Sequence, residues 1–261
     1  MSRLRLVGVF LRLGVLNELQ YRANFWIQLI RSLVNLATAL AGLGVVFSQA
    51  TTLDGWRQDE LLALVGVYFL VGAGVNLVFL PSMSQFIGDV RKGTLDYVLT
   101  KPEDAQLLVS IRRVDIWRLI DVAMGFGVNG VALARLGSDL GPGRAAAFGL
   151  TLLAGGAIVY SFLLALATTA FWFVRVENIL VVFQSMYVAG RWPVGIYPPW
   201  LRGTLTFVVP IAFAITVPAS ALVGRLDWPT LVGTVVLAAA MLAFSRWFWS
   251  VGVRHYSGAS A

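Results

Sequence analysis

The sequence predicts an all-α polytopic integral membrane protein with about six transmembrane helices, and its composition and apolar runs carry that prediction. Hydrophobic residues make up 58% of the 261 residues, charged residues only 13%, and the mean hydropathy is +0.79. Soluble globular domains are typically about 25% charged. At about 20 residues per span, the chain has room for roughly six helices and no sizeable water-soluble domain. We therefore interpret residues 1–261 as a single transmembrane domain.

Long apolar runs indicate where the individual spans lie. Five runs are long enough to cross a bilayer, at residues 23–47, 61–80, 117–136, about 145–174 and 229–250. A further run at residues 179–190 is too short to cross unaided. The polar residues inside the spans are expected to bond between helices, namely Asn35, Asn76 and Asn129. Arg118 lies three residues from both Asp115 and Asp121, which predicts an ion-pair ladder.

The run at residues 203–224, "GTLTFVVPIAFAITVPASALVG", is long enough to span but contains Pro210 and Pro218. Proline inside a membrane helix frees backbone groups that protein or cavity water must satisfy. Two prolines eight residues apart favour a broken or re-entrant segment. With Pro198 before it, this segment belongs to a region of about residues 191–227 that we place on the extracellular side.

The basic residues set the expected orientation. The segment with Arg3, Arg5 and Arg12 spreads its charges around a helix, and composition leaves it undecided between an interfacial helix and a poor span. No small-residue cleavage site follows, so we interpret it as retained. With both termini in the cytoplasm, 13 of the 20 lysines and arginines lie inside, six lie outside and Arg31 lies within a span. We attribute the net charge of +7 to anionic lipid, not nucleic acid, because no basic stretch alternates with aromatic residues.

One compact polar stretch interrupts the apolar chain at residues 87–108, "IGDVRKGTLDYVLTKPEDAQLL". Gly93 permits a tight turn, Thr94 can cap the short helix that follows, and Pro102 ends that helix. Leu95 and Leu99, with Val98, share one face of that helix. We expect this apolar face to be exposed outside the membrane and to bind a partner protein.

The stretch "GDVRKGTLDYVLTKPEDAQLLVSIRRVD" resembles the cytoplasmic loop of permease subunits of ABC exporters of the second permease class, which have the type V exporter fold. The later "IYPPWLRGTLTFVVPIAFAITVPASALVG" is similar to the extracellular segment before the last helix in the small six-span branch of that class. The resemblance implies a coupling loop at about residues 84–113 that sits in a groove of a separate ATPase. The implied coupling residues are Gly93, Thr94, Leu95, Asp96, Val98, Leu99 and Pro102, and the implied gate residues are Pro198, Pro210 and Pro218.

The same resemblance implies the assembly and its location. The chain would be the membrane subunit of an ATP-driven exporter of a hydrophobic or amphipathic substrate, paired with a second permease that is the same or a homologous chain. ATP and Mg would be bound by the partner ATPase, since the chain has no GxxxxGK[ST] phosphate loop, and we expect no cofactor, metal or catalytic residue here. Membrane lipids would be further partners, in the plasma membrane of a prokaryote.

Alternative interpretations remain at this point. The polar stretch could be an ordinary connection between two spans. A secondary transporter or channel without an ATPase would need ionisable groups deep in its spans, and only Arg31 clearly qualifies. A membrane-embedded enzyme would need converging catalytic side chains, which the sequence does not indicate. The sequence leaves the substrate undetermined.

Overall fold

The computed structural model describes residues 22–137, 141–173 and 176–256, and every regular element in these ranges is helical. The N-terminal segment with Arg3, Arg5 and Arg12 lies outside the described residues. The α-helices are α1 (Arg22–Phe47), α2 (Gln58–Gly74), α3 (Leu80–Lys92), α4 (Asp96–Leu99), α5 (Ala105–Ser110), α6 (Leu119–Leu136), α7 (Pro142–Thr168), α8 (Glu177–Tyr187), α9 (Pro199–Gly203), α10 (Ile211–Leu222) and α11 (Trp228–Arg254).

Five helices among the described residues are long and apolar enough to cross a membrane: Asn24–Phe47, Gln58–Lys92, Ile116–Leu136, Pro142–Phe171 and Trp228–Arg254. A sixth candidate is the pair Pro199–Val208 and Ile211–Leu222, which is bent by 91°. The run that contains α8 does not qualify, in agreement with its predicted shortness. The predicted all-α polytopic fold is confirmed, with five spans and one broken pair.

The second span is longer than its apolar run predicted. A π-helical turn, Val75–Phe79, joins α2 to α3, and the combined helix of 35 residues ends at Lys92. At 1.5 Å per residue it measures about 50 Å, well beyond a hydrocarbon core of about 30 Å. The polar half of α3 stays helical because Met83 and Phe86 are fully buried in the core. The long helix therefore extends past the membrane-sized part of the bundle.

Pro81 accounts for a contact between this helix and the start of the third span. Proline has no N–H, so Pro81 leaves the carbonyl of Leu77, four residues earlier, without its usual helical partner. The backbone N–H of Asp115 donates to that carbonyl at 2.8 Å. The freed acceptor thus fixes the entry to α6 against the second span.

The core is built from close helix pairs. A Cβ on Gly125 of α6 would come within 2.9 Å of the Gly66 carbonyl oxygen in α2. A Cβ on Gly155 of α7 would come within 2.8 Å of the Ala214 Cα in α10. Small residues let membrane helices approach closely enough for dispersion contacts to hold them together. By contrast, only 17% of the residues in the most apolar part of α1 are buried, so α1 lies at the periphery.

An aromatic cluster closes one end of the bundle. The ring of Phe86 in α3 lies 5.1 Å from Trp249 in α11 and 5.4 Å from Phe171, which follows α7. Trp249 and Phe171 are themselves 5.7 Å apart. Offset and edge-to-face pairs at such distances add about 0.5–1.5 kcal/mol each to the effect of burial. We call this the loop end, because the polar stretch after α3 lies here.

Candidate functional site

The polar loop, residues 93–115, begins where α3 ends. Gly93 adopts a left-handed conformation with φ of 68°, and its N–H donates to the Val90 carbonyl at 3.2 Å. A side chain would be strained there, so the predicted turn at Gly93 is confirmed. Helix α4 ends at Leu99, three residues before Pro102, as the position of that proline predicted.

Thr94 does not cap the helix that follows it. Helix α4 begins at Asp96 after Leu95, without a side-chain cap, whereas the Thr94 Oγ1 lies 3.2 Å from the Asp89 Oδ1 in the preceding helix. The Thr94 N–H also donates to the Asp89 carbonyl at 2.9 Å. The predicted forward cap is therefore wrong. Because Gly93 reverses the chain, Thr94 secures the end of α3.

The apolar face of α4 is not available to a partner. Leu95 is 0% exposed, Val98 is buried, and Leu99 packs against the same core. The prediction of an exposed apolar face is wrong, because the turn at Gly93 folds α4 back onto its own bundle. The role of these residues in ATPase coupling stays a prediction.

The outward face of the loop consists of other residues. Tyr97 is 75% exposed, and Thr100, Lys101 and Pro102 are also exposed. Asp96 is half-buried beside them. Tyr97 was not singled out from the sequence, although its place between Leu95 and Leu99 puts it on the opposite side of one helical turn. The surface that a partner could reach is thus a small aromatic and polar turn.

Asp89 organises the base of the loop. Its carboxylate is buried and makes an ion pair with Arg112, which comes from the far end of the loop. The Gln85 Nε2 donates to the same carboxylate at 3.1 Å. A buried carboxylate needs such partners, because an unpaired charge in the interior is costly. The two ends of the loop are therefore joined at one point.

The loop is also attached to two other spans. Asp104 accepts a hydrogen bond from the Leu107 N–H at 3.1 Å, as the N-cap of α5, and makes an ion pair at 2.6 Å with Arg246 in α11. The Tyr160 hydroxyl in α7 lies 2.7 Å from the Ser110 Oγ. The aspartate before "AQLLVS" is a typical N-cap signal in the sequence. Its partner 142 residues away could not be predicted from local pattern.

The predicted gate prolines lie in the broken segment, residues 198–222. Pro198 precedes α9, Pro210 stands at the 91° break between the two halves, and Pro218 is buried inside α10. The backbone before Pro210 leaves the helical region, with φ of −115° and ψ of 92° at Val209. The predicted break is confirmed at Pro210, and a gating role stays a prediction for all three prolines.

Both flanks of the broken segment contact the loop between α1 and α2. A Cβ on Gly195 would overlap the Asp54 carboxylate. Beyond α10, the Arg225 guanidinium makes an ion pair with Glu60 at 2.7 Å and donates to the Gly55 carbonyl at 2.7 Å. The flanks thus return to one end of the bundle, which we call the opposite end. This arrangement agrees with a re-entrant path.

The polar residues within the spans are only partly as predicted. Arg118 lies 3.5 Å from both Asp115 and Asp121, which confirms the ladder. Asp121 also binds α1, because the Gln28 Nε2 donates to it at 3.1 Å and Ser32 donates as well. Gln28 and Ser32 are four residues apart and therefore lie on one face of α1. This spacing was the sequence signal for the contact with Asp121 that was missed.

The asparagines behave differently from the expectation of helix-to-helix bonds. Asn76 donates to the Gly72 carbonyl of its own helix at 2.7 Å, so that expectation is wrong for Asn76. Asn129 is buried against Gly66 and has no hydrogen-bond partner among the described residues. Gly66 leaves the space that the Asn129 amide fills.

Comparison with known protein families gives a match over most of the chain. A family model described as "ABC-2 family transporter protein" matches residues 33–260, from the middle of α1 through the polar loop and the broken segment. No similar sequence is found among curated proteins.

Proposed function

Because the chain belongs to the ABC-2 transporter family, whose permeases are membrane subunits that normally work with an ATPase, we propose that it is the permease of an ATP-driven exporter. A separate ATPase, which binds the ATP and Mg, docks on the polar loop. A second permease, identical or homologous, completes the assembly. The membrane is the plasma membrane of a prokaryote, both termini are cytoplasmic, and the loop end faces the ATPase.

The observation that carries this proposal is the attachment of the loop to three spans at once. Asp89 ties it to α3 through Arg112 and Thr94, Tyr160 ties it to α7, and Arg246 ties it to α11. A displacement of the exposed turn must then move these helices together, because the packed contacts between them are not easily compressed. An ordinary connection between spans needs no such anchoring.

The docking surface differs from the one predicted from sequence. Leu95, Val98 and Leu99 transmit force to the bundle, whereas Tyr97, Thr100 and Pro102 are placed to touch the ATPase. ATP binding then shifts the population between two arrangements of the spans, and the energy comes from the partner. The bend at Pro210, with Pro198 before it and Pro218 after it, gives the opposite end its movable gate.

The test is co-purification of the partner ATPase with Tyr97→Asp. An exposed aromatic at the centre of an interface contributes about 1–2 kcal/mol, so we expect retention of the ATPase to fall roughly five- to thirtyfold. Melting of the isolated permease should stay unchanged, because Tyr97 is 75% exposed. Tyr97→Phe should retain most of the binding.

The matched control is Thr52→Asp, which adds the same charge to an exposed residue at the opposite end. We expect it to bind the ATPase like the unchanged protein. If Tyr97→Asp and Thr52→Asp retain the ATPase equally, the loop is not the docking surface.

A further inference from the structure

A cavity of about 480 Å³ opens near the loop end, between α1, α3, α8 and the start of α6. Three arginines line it: Arg31 from α1, Arg113 from the loop, and Arg118 before α6. Asp115 is the only acidic residue among the described residues that line it, and polar amides such as Gln184 complete one side. The cavity therefore carries a concentrated positive charge inside a predominantly apolar protein.

The positive charge is not neutralised within the described part of the chain. Arg118 is shared between Asp115 and Asp121, at 3.5 Å from each. In the described ranges, Arg31 and Arg113 make no ion pair, and both are exposed to the cavity side of the molecule. Arg31 lies nine residues into a span, where a charge is costly unless it meets water or an opposite charge.

A further polar atom in the cavity wall has no partner among the described residues. The Trp117 Nε1 is buried and makes no hydrogen bond there, whereas the Arg118 Nε lies 3.5 Å from the Asp115 carboxylate. Buried donors of this kind are rare in folded proteins, and a bound acceptor is one way to satisfy them. The indole N–H of Trp117 can only donate, so the missing group is an acceptor. A negatively charged oxygen would match both this donor and the arginines.

The lining also has an apolar part. Ile27, Leu180 and Val181 form it on α1 and α8, and the exposed surface of α1 continues with Ile30 and Val34. A ligand that fills the cavity would meet arginines on one side and a hydrocarbon surface on the other. That combination fits an amphiphile with an anionic head.

We propose that this cavity binds the oxyanion head, a phosphate, sulfate or carboxylate, of an amphiphile whose apolar tail lies along α1 and α8. The inference rests on the proposed function, since it names the substrate class of that exporter. The same chemistry is presented by an anionic phospholipid of the bilayer, so the test separates the two sources.

A smaller cavity of about 170 Å³ extends the same polar surface. It shares Asn76, Arg118 and Gln184 with the first cavity and is also lined by Asn35, Arg191 and Asp121, the carboxylate of which pairs with Arg118. The Arg191 guanidinium lies 5.3 Å from the centre of the Tyr68 ring, deeper along the second span. An anionic head that leaves the first cavity would thus meet another cation on its way toward the opposite end.

The experiment is native mass spectrometry of the purified full-length permease, without ATPase, titrated with dodecyl phosphate and with zwitterionic dodecylphosphocholine. We expect the anionic compound to bind at least tenfold more tightly. Arg31→Gln and Arg113→Gln should each weaken its binding about tenfold, because each removes a charge-assisted hydrogen bond. Arg254→Gln is the matched control, since it removes an exposed arginine from the loop end but away from the cavity.

Two variants keep the result independent of folding defects. Arg31→Lys keeps the charge and should retain most of the binding. Ser84→Trp keeps every charge but fills the cavity that Ser84 lines, and should lose binding. Equal binding of both compounds, or equal loss in Arg254→Gln and Arg31→Gln, would overturn the proposal.

Parallel titrations with phosphatidylglycerol and inorganic phosphate identify the source of the anion. Tight binding of phosphatidylglycerol supports a resident lipid head, preference for the single-chain compound supports a transported amphiphile, and competition by inorganic phosphate shows that the head alone is recognised. Because no ATPase is present, binding of the amphiphile with failed ATPase co-purification would reject the proposed function and leave the anion site standing.

Discussion

The polar loop at one end and the broken segment at the other are both short helices outside the regular spans, yet they are attached in different ways. The loop buries Leu95 completely and joins three spans. The broken segment exposes Phe207 to 81%, bends by 91°, and has its flanks fixed at the loop between α1 and α2. The comparison indicates a loop that several contacts hold rigidly and a broken segment whose backbone is interrupted at Pro210.

The backbone explains the difference in stiffness. Pro210 cannot donate a hydrogen bond, and the segment before it is a π-helical turn, Thr204–Val208, which ends with the Val209 N–H bonded to the Thr204 carbonyl at 2.8 Å. Few regular helical hydrogen bonds therefore connect the residues before Pro210 with those after it. In the loop, the turn at Gly93 is closed by backbone bonds and by the Asp89–Arg112 ion pair. Bending the loop would break packed contacts and an ion pair, whereas bending the broken segment at Pro210 would break few backbone hydrogen bonds, although α10 itself packs against α7.

We expect the largest loss of stability from a charge placed inside the loop. Leu95→Asp buries an unpaired carboxylate at a position that is 0% exposed, which costs about 4 kcal/mol or more. We expect low yield and a strongly reduced melting temperature in detergent, in contrast to Tyr97→Asp two residues away. Melting of Leu95→Asp at the unchanged temperature would show that the loop is as loosely held as the broken segment.

We expect the next largest loss of stability when the ion pair that attaches the broken segment is removed. Glu60 has a side chain that is 5% exposed, and it pairs with Arg225, whose side chain is 38% exposed. Breaking a fully buried pair costs about 3–5 kcal/mol, and the exposure of Arg225 reduces our expectation to about 2 kcal/mol. Glutamine at position 60 can still accept from the Arg57 N–H, so Glu60→Gln tests the charge alone.

The control for Glu60 is its neighbour in the sequence. Asp59 also faces an arginine, Arg135, but at 3.8 Å and with both side chains more than a third exposed. Asp59→Asn should change the melting temperature little. If Asp59→Asn and Glu60→Gln lower the melting temperature equally, the buried Glu60–Arg225 pair does not hold the broken segment in place. The flanks of that segment would then not be fixed by this ion pair.

The spans could be predicted from sequence because their signal is local. Long apolar runs fix the positions of the spans, and Pro210 fixes the break, since each effect depends on residues close in the chain. The orientation of α4 could not be predicted in this way. Leu95, Val98 and Leu99 define an apolar face, but a four-residue helix does not reveal whether that face meets a partner or its own core.

The polar contacts that organise both ends were missed for a related reason. Arg246 and Asp104 are 142 residues apart, and Arg225 and Glu60 are 165 apart. Each residue alone resembles an ordinary charge at the edge of a span. Only the folded chain brings the partners together, so the sequence could indicate the polar stretch and the broken segment but not the contacts that hold them.

We expect the smallest loss of stability from removing the ion pair that joins the loop to α11. The Arg246 and Asp104 side chains are 54% and 27% exposed, and such pairs contribute about 0.5 kcal/mol. Asp104→Asn keeps an N-cap oxygen for the Leu107 N–H and removes only the charge, whereas Asp104→Ala removes both and should cost about 1 kcal/mol more.

The pH dependence of this pair identifies its contribution. The hydrogen bond from Arg246 holds the pKa of the Asp104 carboxyl below its usual value of 3.8. A carboxyl with a lowered pKa stabilises the fold fully above 3.8, and this contribution is lost as the pH falls through the lowered value. The melting difference between the unchanged protein and Asp104→Asn should thus be constant at neutral and mildly acidic pH and should vanish in stronger acid. A difference that persists there would mean that the charge of Asp104 is not what joins the loop to α11.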